Sequence, residues 1–405
     1  MLDPPATAAS TADREIWRHA VHVLAAFDRP SASDGERRAA EWIADRLNEL
    51  GCSAQIEEEQ AHGGYWWPLA LVNAVGAAGG ALALRRRGRV GRAVAALAGV
   101  TAATAAWDDV TGRGFRFRWA LFPRRATWNV VGHTGDLDAE RTVIVVAHHD
   151  AAHSGLVFHP ALSEIGPKLW PRLHAQASHT LPIMHATWAG PLLVLAGAAL
   201  GSRRLLSSGT VFALGALAAM VDIGLRGVVP GANDNLAAVG ALLALARSLR
   251  DRPLTGLRVL LVSTGSEESF SEGMQGFAHR HFPNLDRERT EVLCLECLGS
   301  SRMVVVEGEG MLKIHDYPLH MREELAAAAA DVGVEVARGL RTVAATDGLI
   351  SMRAGYPTVT LASIEHTGLP LNYHWPTDTP AALCWRTVDD AVRVAERFVR
   401  RRAGG

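Results

Sequence analysis

Five histidine and carboxylate side chains, far apart in the sequence, have the types that bind divalent metal ions. They are His148, Asp234, Glu268, Glu296 and His374. Zinc takes neutral imidazole and carboxylate ligands, and a catalytic zinc site keeps one position open for water. Two zinc ions about 3.5–4 Å apart need a bridging carboxylate and hold a water between them. The set therefore predicts a two-zinc site that activates water.

The first two ligands lie in short polar patterns at the ends of predicted elements. His148 closes an apolar run, and Asp150 would accept the imidazole N–H and fix its tautomer. Asp234 lies in the tight turn Gly231 to Asn235, at the start of a predicted helix. An aspartate there is most often only a helix cap. For His148, a histidine pair in a loop is the alternative to a metal ligand. Together with the other patterns, both are predicted to bind metal.

The remaining patterns carry three acids and one histidine. Glu267 and Glu268 are adjacent carboxylates after an apolar run, where an exposed acidic pair is the alternative. Beside two cations, one would bind metal and the other would take a proton from water. Glu296 interrupts an apolar strand, and burying it without a partner would be costly. His374 lies in a loop ahead of the last predicted helix.

Strands and helices alternate along the chain, which favours an α/β fold with helices on both faces of a sheet. Ser33 and Glu36 form a predicted capping box that opens the first helix. The other predicted helices cover 236–249, 321–332 and 387–401, and the predicted strands are 54–59, 127–132, 142–147, 257–264, 291–298 and 357–362. Such sheets carry their sites at the carboxyl ends of the strands, where the five patterns fall.

Two apolar stretches interrupt this alternation, and each is typical of a helical hairpin inserted into a single domain of residues 1–405. The first covers 66–107, with an arginine-rich loop between 66–84 and 93–107. The second covers 181–226, with Arg203 and Arg204 between its halves.

A helix that spans a bilayer needs about 20 apolar residues. The segments 66–84 and 181–201 have that length, whereas 93–107 is short and the last segment contains Asp222. Gly76 and Gly80 suit close packing of membrane helices. We therefore expect a lipid bilayer as a partner, with two soluble alanine-rich hairpins as the alternative.

The path of the chain also favours two hairpins over one spanning helix. His148 and Asp234 must meet at one site, so the chain between them must cross a membrane an even number of times. Arginines at both hairpin tips would place the tips in the cytoplasm and the rest of the protein outside. No signal peptide is visible at the N-terminus, so the side of the membrane on which the rest of the protein lies stays open. A soluble cytoplasmic protein is the alternative.

Composition excludes some partners. The chain has 41 Lys and Arg against 42 Asp and Glu, so a nucleic-acid partner is not expected. Cys52, Cys294, Cys297 and Cys384 match no zinc-finger spacing. Cys294 and Cys297 are placed in one strand and are expected to be buried thiols on opposite faces of the sheet.

Taken in order, these motifs resemble the di-zinc exopeptidases of clan MH, the family of secreted bacterial leucyl aminopeptidases, with glutamate carboxypeptidase and glutaminyl cyclase as relatives. The resemblance covers most of the chain outside the hairpins. It implies a three-layer sandwich around a mixed, largely parallel sheet, two zinc ions and a peptide substrate. It assigns Glu267 as the general base and Asp150 as the carboxylate behind His148.

The resemblance also implies how the ligands divide. One zinc would take His148 and Glu296, the other Glu268 and His374, and Asp234 would bridge them. Glu267 would remove a proton from the water that attacks the peptide carbonyl and return it to the leaving amine.

The chain departs from the family at the strand ligand, where many aminopeptidases have aspartate instead of Glu296. A carboxypeptidase therefore stays open and would need a basic residue such as Arg302, Arg341 or Arg353 for the substrate carboxylate. A glutaminyl cyclase with one zinc and a non-catalytic membrane scaffold also stay open. The long insertion between His148 and Asp234 also carries histidines that could bind further metal or lie on the surface: His153, His159, His174, His179 and His185.

Overall fold

Seven strands form one central sheet in the computed structural model, which describes residues 11–86, 88–180 and 182–403. The strands of the protein are β1 (Ser53–Ala61), β2 (Arg125–Gly135), β3 (Thr142–His148), β4 (Arg258–Thr264), β5 (Thr290–Glu296), β6 (Arg302–Val306), β7 (Gly308–Glu309), β8 (His315–Asp316), β9 (Arg341–Thr342) and β10 (Thr358–Ile364). The order in the sheet is β1-β2-β4-β3-β5-β10-β6, and β7 to β9 form a small second sheet.

The centre of the sheet is parallel and its edges are antiparallel. Strands β4, β3, β5 and β10 run in the same direction, whereas β1, β2 and β6 pair antiparallel. All seven residues of β3 are buried, as is usual for a strand covered on both faces. The carboxyl ends of the four parallel strands therefore meet at one edge of the sheet. This mixed, largely parallel sheet confirms the predicted fold class.

Helices cover both faces of the sheet. The helices of the described residues are α1 (Thr11–Leu24), α2 (Asp34–Glu49), α3 (Trp66–Arg85), α4 (Arg89–Thr111), α5 (Arg116–Leu121), α6 (Pro160–Ser163), α7 (Ile165–Leu169), α8 (Pro171–Gln176), α9 (His185–Leu200), α10 (Arg203–Leu225), α11 (Ala237–Asp251), α12 (Glu272–His281), α13 (Leu319–Asp331), α14 (Asp347–Arg353) and α15 (Trp385–Ala403). Alternate residues of β3 enter different cores. Val143 and Val145 pack with α1, α2, α11, α13 and α15, and Ile144 and Val146 pack with α12 and α14.

Four of the helices, α3, α4, α9 and α10, pack against one another as a bundle beside the sheet. Gly80 lies so close to α10 that a Cβ atom there would be 2.2 Å from the Thr210 hydroxyl. A Cβ atom at Gly76 would be 3.1 Å from the ring of Pro191 in α9. Both glycines thus permit the close helix packing that the sequence suggested.

Two helix lengths in this bundle differ from the prediction. The second segment, predicted as a short helix over 93–107, is the 23-residue helix α4. The third, predicted to be long enough to span a bilayer, is the 16-residue helix α9. Among the described residues, α3, α4 and α10 are the helices with the length and composition to cross a membrane. Gly112, with a left-handed φ of 61°, ends α4 beyond its last apolar residue.

Two local predictions were wrong in detail. Strand β5 ends at Glu296, so Cys297 lies outside it, with a left-handed φ of 49°. Both cysteines are nevertheless buried free thiols, as expected. Ser33 caps α2 as predicted, but the Glu36 carboxylate accepts a hydrogen bond from the Ala32 N–H and also reaches away from the helix. Its other partners lie near the carboxyl ends of the parallel strands.

Candidate metal centre

The predicted ligands meet at the carboxyl edge of the parallel strands. His148 is the last residue of β3 and Glu296 the last of β5. Glu267 and Glu268 form a short turn after β4, and His374 lies in the loop after β10. Asp234 lies in a turn immediately before α11. Five separate segments thus bring the predicted residues together, because parallel strands end at the same side of the sheet.

The five predicted ligands form two groups that each have the geometry of a metal site, and His148, Glu267 and Glu268 form a third group. His148, Asp234 and Glu296 form one group, and Asp234, Glu268 and His374 form the other. The Nε2 atom of His148 is 3.2 Å from Asp234 Oδ1 and 3.6 Å from Glu296 Oε1. Ligand atoms around a tetrahedral zinc ion, with bonds of about 2.0–2.2 Å, are separated by about 3.3–3.6 Å. The first group therefore fits a zinc ion.

The second group has the same spacing. The Nε2 atom of His374 is 3.3 Å from Asp234 Oδ2 and 3.2 Å from Glu268 Oε2. The two oxygens of Asp234 thus face different imidazoles, with Oδ1 toward His148 and Oδ2 toward His374. Asp234 therefore belongs to both ligand groups.

Buried atoms at the site also lack other partners. His148 Nε2 and Glu268 Oε1 are buried and make no hydrogen bond to any described residue. No described lysine or arginine pairs with the carboxylates of Asp234, Glu267, Glu268 or Glu296, whose basic neighbours are the two imidazoles. Buried charges need a compensating charge or a metal. The side chains present therefore fit two divalent cations.

Without cations, the site favours bound protons. Burial raises the pKa values of Glu268 and Glu296, and raises that of Glu267 well above its ordinary value. Burial alone would lower the pKa of His374, but the Glu268 and Asp234 carboxylates raise it to about 10. A buried cluster with more carboxylates than imidazoles binds positive charge, which either protons or metal ions can supply.

Asp150 holds both His148 and the glutamate turn. Its Oδ1 lies 3.3 Å from His148 Nδ1 and accepts a hydrogen bond of 3.1 Å from the Glu267 N–H. Its Oδ2 accepts from the Glu268 N–H at 3.1 Å and from the Ser31 hydroxyl at 2.6 Å. Asp150 is therefore a positioning residue that ties a predicted ligand to the predicted base.

Asp378 and Arg29 fix the turn around Asp234, and sequence reasoning assigned neither a role. The Asp378 carboxylate accepts from the backbone N–H groups of Asn233 and Asp234 at 2.8 and 3.1 Å. The buried Arg29 guanidinium donates to the carbonyls of His149, Leu24, Pro230 and Gly231. Arg29 thus joins the segment after β3 to the turn before α11. Its partners are backbone carbonyls, so no side-chain pattern in the sequence indicates it.

Glu36 and Asn235 hold the neighbouring segments. Glu36 accepts hydrogen bonds from the Ser266 N–H at 2.6 Å and from the Thr127 hydroxyl at 2.9 Å, which anchors the residue before the glutamate pair. Asn235 donates to Glu296 Oε2 at 3.3 Å and accepts from the Cys297 N–H at 2.9 Å. Glu36, predicted only as part of a helix cap, therefore also supports the site.

Arg118 connects the glutamate turn to the helical bundle. It is fully buried, pairs with Asp109 of α4, and donates to the Ser269 carbonyl at 3.1 Å. The next residue, Phe270, stacks on Tyr65 at 4.8 Å, directly ahead of α3. The bundle therefore supports the segment that carries Glu267 and Glu268.

A cavity of about 170 Å³ opens beside the predicted ligands. Apolar cavities of about 150 Å³ take a benzene-sized ligand, so this one has room for a single apolar side chain. Asp234, Glu267, Glu268, Glu296 and His374 form its polar end. Its apolar walls come from both sheets and from the bundle side: Tyr65, Phe158, Met184, Val306, Met311 and Leu340.

Residues considered for other roles lie elsewhere. Arg341 pairs with Asp316, Arg353 donates to the Thr111 carbonyl, and Arg302 is exposed; none of the three lines the cavity. The histidines of the insertion between His148 and Asp234 belong to none of the metal-binding groups found among the described residues. Several contact backbone atoms instead, such as His153 with the Arg226 carbonyl and His185 with the Met311 carbonyl.

Residues 219–399 match the family model of peptidase family M28. This part of the chain is similar to the M28 peptidases. The matched segment contains Asp234, Glu267, Glu268, Glu296 and His374, whereas His148 and Asp150 precede it. Among curated proteins, none matches the chain significantly.

Solved structures of M28-like enzymes share the fold. Glutaminyl cyclase from Tannerella forsythia superposes with a TM-score of 0.56 at 14% identity, over 96% of this chain and 98% of that one. The aminopeptidase from Aneurinibacillus sp. strain AM-1 superposes with a TM-score of 0.55 at 12% identity, over 96% of this chain and 94% of that one. A Zn-dependent exopeptidase from Parabacteroides distasonis superposes with a TM-score of 0.54 at 13% identity, over 96% of this chain and 97% of that one. At such low identity, these similarities establish the fold.

Asp150→Asn tests how far metal binding depends on the positioning carboxylate. The amide removes the negative charge beside His148 Nδ1 and turns an N–H group toward backbone donors. We expect zinc affinity to fall roughly 10–100-fold, the usual effect of losing such a partner. The measurement is competition for zinc against a chromogenic chelator. Asp136→Asn, at the opposite edge of the sheet, is the control; equal affinity of both variants would refute the role of Asp150.

Proposed function

We propose that the protein is a di-zinc aminopeptidase of the M28 type. The observation that carries the proposal is the orientation of Asp234, whose two oxygens lie 3.2 and 3.3 Å from the imidazoles of two different ligand groups. One group would bind one zinc through His148 and Glu296, and the other through Glu268 and His374. Two bound zinc ions would acidify a water molecule and polarise the scissile carbonyl.

Glu267 is the residue best placed to move the proton. Its Oε2 lies 3.9 Å from His148 Nε2, so Glu267 lies beside the first ligand group. It takes no part in the contacts between Asp234 and the two imidazoles. It lines the cavity, and burial raises the pKa of its carboxyl well above the ordinary value. Such a carboxylate can accept a proton from water and return it to the leaving amine.

The cavity favours a substrate with a free amino terminus. Four carboxylates face its polar end, and its described lining includes no lysine or arginine. An α-ammonium group fits this charge, whereas a carboxypeptidase would need a cation for the substrate carboxylate. The apolar walls would hold the side chain of the N-terminal residue.

Hydrolysis of a peptide panel by the zinc-loaded protein tests this function. Free-amine aminoacyl substrates with apolar first residues should be cleaved, and N-acetylated counterparts should resist. Glu267→Gln should lower kcat by roughly 100-fold or more while zinc content stays unchanged, since general bases contribute about 10²–10⁴-fold.

Glu335→Gln, on the surface away from the cavity, serves as the matched control. Cleavage of blocked peptides would favour another hydrolase, and cyclisation of N-terminal glutamine by a protein with one zinc would favour a glutaminyl cyclase. Full activity of Glu267→Gln would remove Glu267 from the mechanism.

We further propose that the bundle is inserted in a membrane. Helices α3, α4 and α10 have sufficient length and apolar composition, and their outer faces expose large apolar side chains such as Leu97, Val211 and Leu214. The 16-residue helix α9 would cross together with α10, which keeps the number of crossings between His148 and Asp234 even. The tips of both helix pairs lie together, since Arg92 donates to the Ala198 carbonyl at 2.9 Å. Clustered arginines at one end and tryptophans at the other are typical of a membrane bundle.

Extraction of cell membranes with alkaline carbonate tests the insertion. The protein should stay in the membrane pellet, because spanning helices resist conditions that release peripheral proteins. Detergent should then solubilise it in active form. Release into the carbonate supernatant would contradict insertion without affecting the proposed peptidase activity.

A further inference from the structure

A strap of short helices at the cavity mouth carries an unusual number of exposed apolar side chains. The strap comprises residues 156–176, with α6, α7 and α8. Single exposed apolar residues are ordinary on soluble proteins, but a dense set marks an interaction surface. The exposed residues of the strap are Leu156, Leu162, Ile165, Leu169, Trp170 and Leu173.

The strap is attached both to the bundle and to the candidate metal centre. At its start, the Leu156 N–H donates to Asp222, in the last turn of α10, at 2.6 Å. Phe158 then packs edge-on against the His374 ring at 4.6 Å. Farther along, His174 Nε2 lies 3.1 Å from the His366 carbonyl, in the loop that also carries His374. The strap therefore crosses from the bundle over the segment that holds a predicted ligand.

The cavity lies at the level of the bundle's tryptophans. Tyr65, in the cavity wall, is two residues before Trp67, and Met184 is four residues before Trp188. At 1.5 Å per helical residue, four residues span about 6 Å. Trp188 packs against Trp107 at 5.7 Å, and both Trp67 and Trp107 are exposed. Exposed tryptophans at one end of membrane helices lie at the lipid headgroups.

We propose that the strap lies in the headgroup region of the bilayer and that the site takes the N-termini of membrane-anchored peptides at the bilayer surface. The inference rests on the proposed aminopeptidase function and on insertion of the bundle. The apolar side chains of the strap would enter the lipid boundary. Arg172 would face lipid phosphates, as would Lys168, which also lies 3.6 Å from the Glu164 carboxylate. A segment with apolar and basic residues of this kind binds the membrane interface.

The test compares three peptides with the same leucine N-terminus, using the full chain in vesicles of phosphatidylcholine and phosphatidylglycerol. One peptide is free, and two carry a C-terminal palmitoyl-lysine anchor behind a short or a long spacer. A three-residue spacer reaches only about 10 Å from the anchor, whereas a twenty-residue spacer reaches up to about 70 Å. Comparing the two anchored peptides removes the general gain from concentrating substrate on the vesicle.

A site at the bilayer surface should cleave the short-spacer peptide with kcat/KM within about threefold of the long-spacer peptide, because both N-termini can reach it. Leu169→Ser combined with Leu173→Ser should lower hydrolysis of the short-spacer peptide about tenfold by weakening contact with lipid. The same variant should leave the free peptide unaffected within about twofold, because neither leucine lines the cavity. Leu137→Ser with Leu319→Ser, two exposed leucines outside the strap, is the matched control.

Three outcomes would contradict the proposal in distinguishable ways. Resistance of the short-spacer peptide, with cleavage of the other two, would overturn a site at the bilayer surface and leave the peptidase function intact. Equal loss on all three peptides in the strap variant would overturn the strap's contact with lipid. Failure of the unmodified protein to cleave any peptide would overturn the proposed function and this inference with it.

Discussion

The shared carboxylate of Asp234 is the contact on which the candidate site depends. Its two oxygens can face His148 and His374 only if the turn before α11 lies between the carboxyl end of β3 and the loop that follows β10. Asp378 holds that turn through two backbone N–H groups, and Arg29 holds it through backbone carbonyls on both sides. The buried polar groups around the ligands therefore serve to set the position of one side chain.

A second constraint is the concentration of acids in a buried site. Four carboxylates face each other with two imidazoles between them, and burial raises the pKa values of Glu267, Glu268 and Glu296. Such a cluster is costly without cations, and it stabilises bound metal because the metal replaces the protons that the cluster would otherwise hold. Asp150 keeps the geometry fixed, since it contacts the first imidazole and both glutamate N–H groups. The acidic cluster and Asp150 together would therefore hold metal in a fixed geometry.

The sequence was sufficient to predict six of the seven strands of the central sheet, all except the edge strand β6, and the residues that meet at the carboxyl edge. His148 and Glu296 end apolar runs, and the ends of parallel strands must converge, so their proximity follows from local patterns. Arg29, Arg118 and Asp378 could not be found in this way, because they bind backbone groups of segments distant in sequence. The lengths of α4 and α9 were also mispredicted. The polar residues at both ends of α4 are helical, as far as Gly112. Hydropathy alone does not show that the helix extends over them.

The most direct test of the account is to locate the metals. Crystals of the zinc-loaded protein should give anomalous difference maps with two peaks about 3.5–4 Å apart when data are collected just above the zinc absorption edge. One peak should contact His148 and Glu296, the other Glu268 and His374, with one oxygen of Asp234 on each. A single peak, or peaks away from Asp234, would contradict a two-zinc centre bridged by this residue.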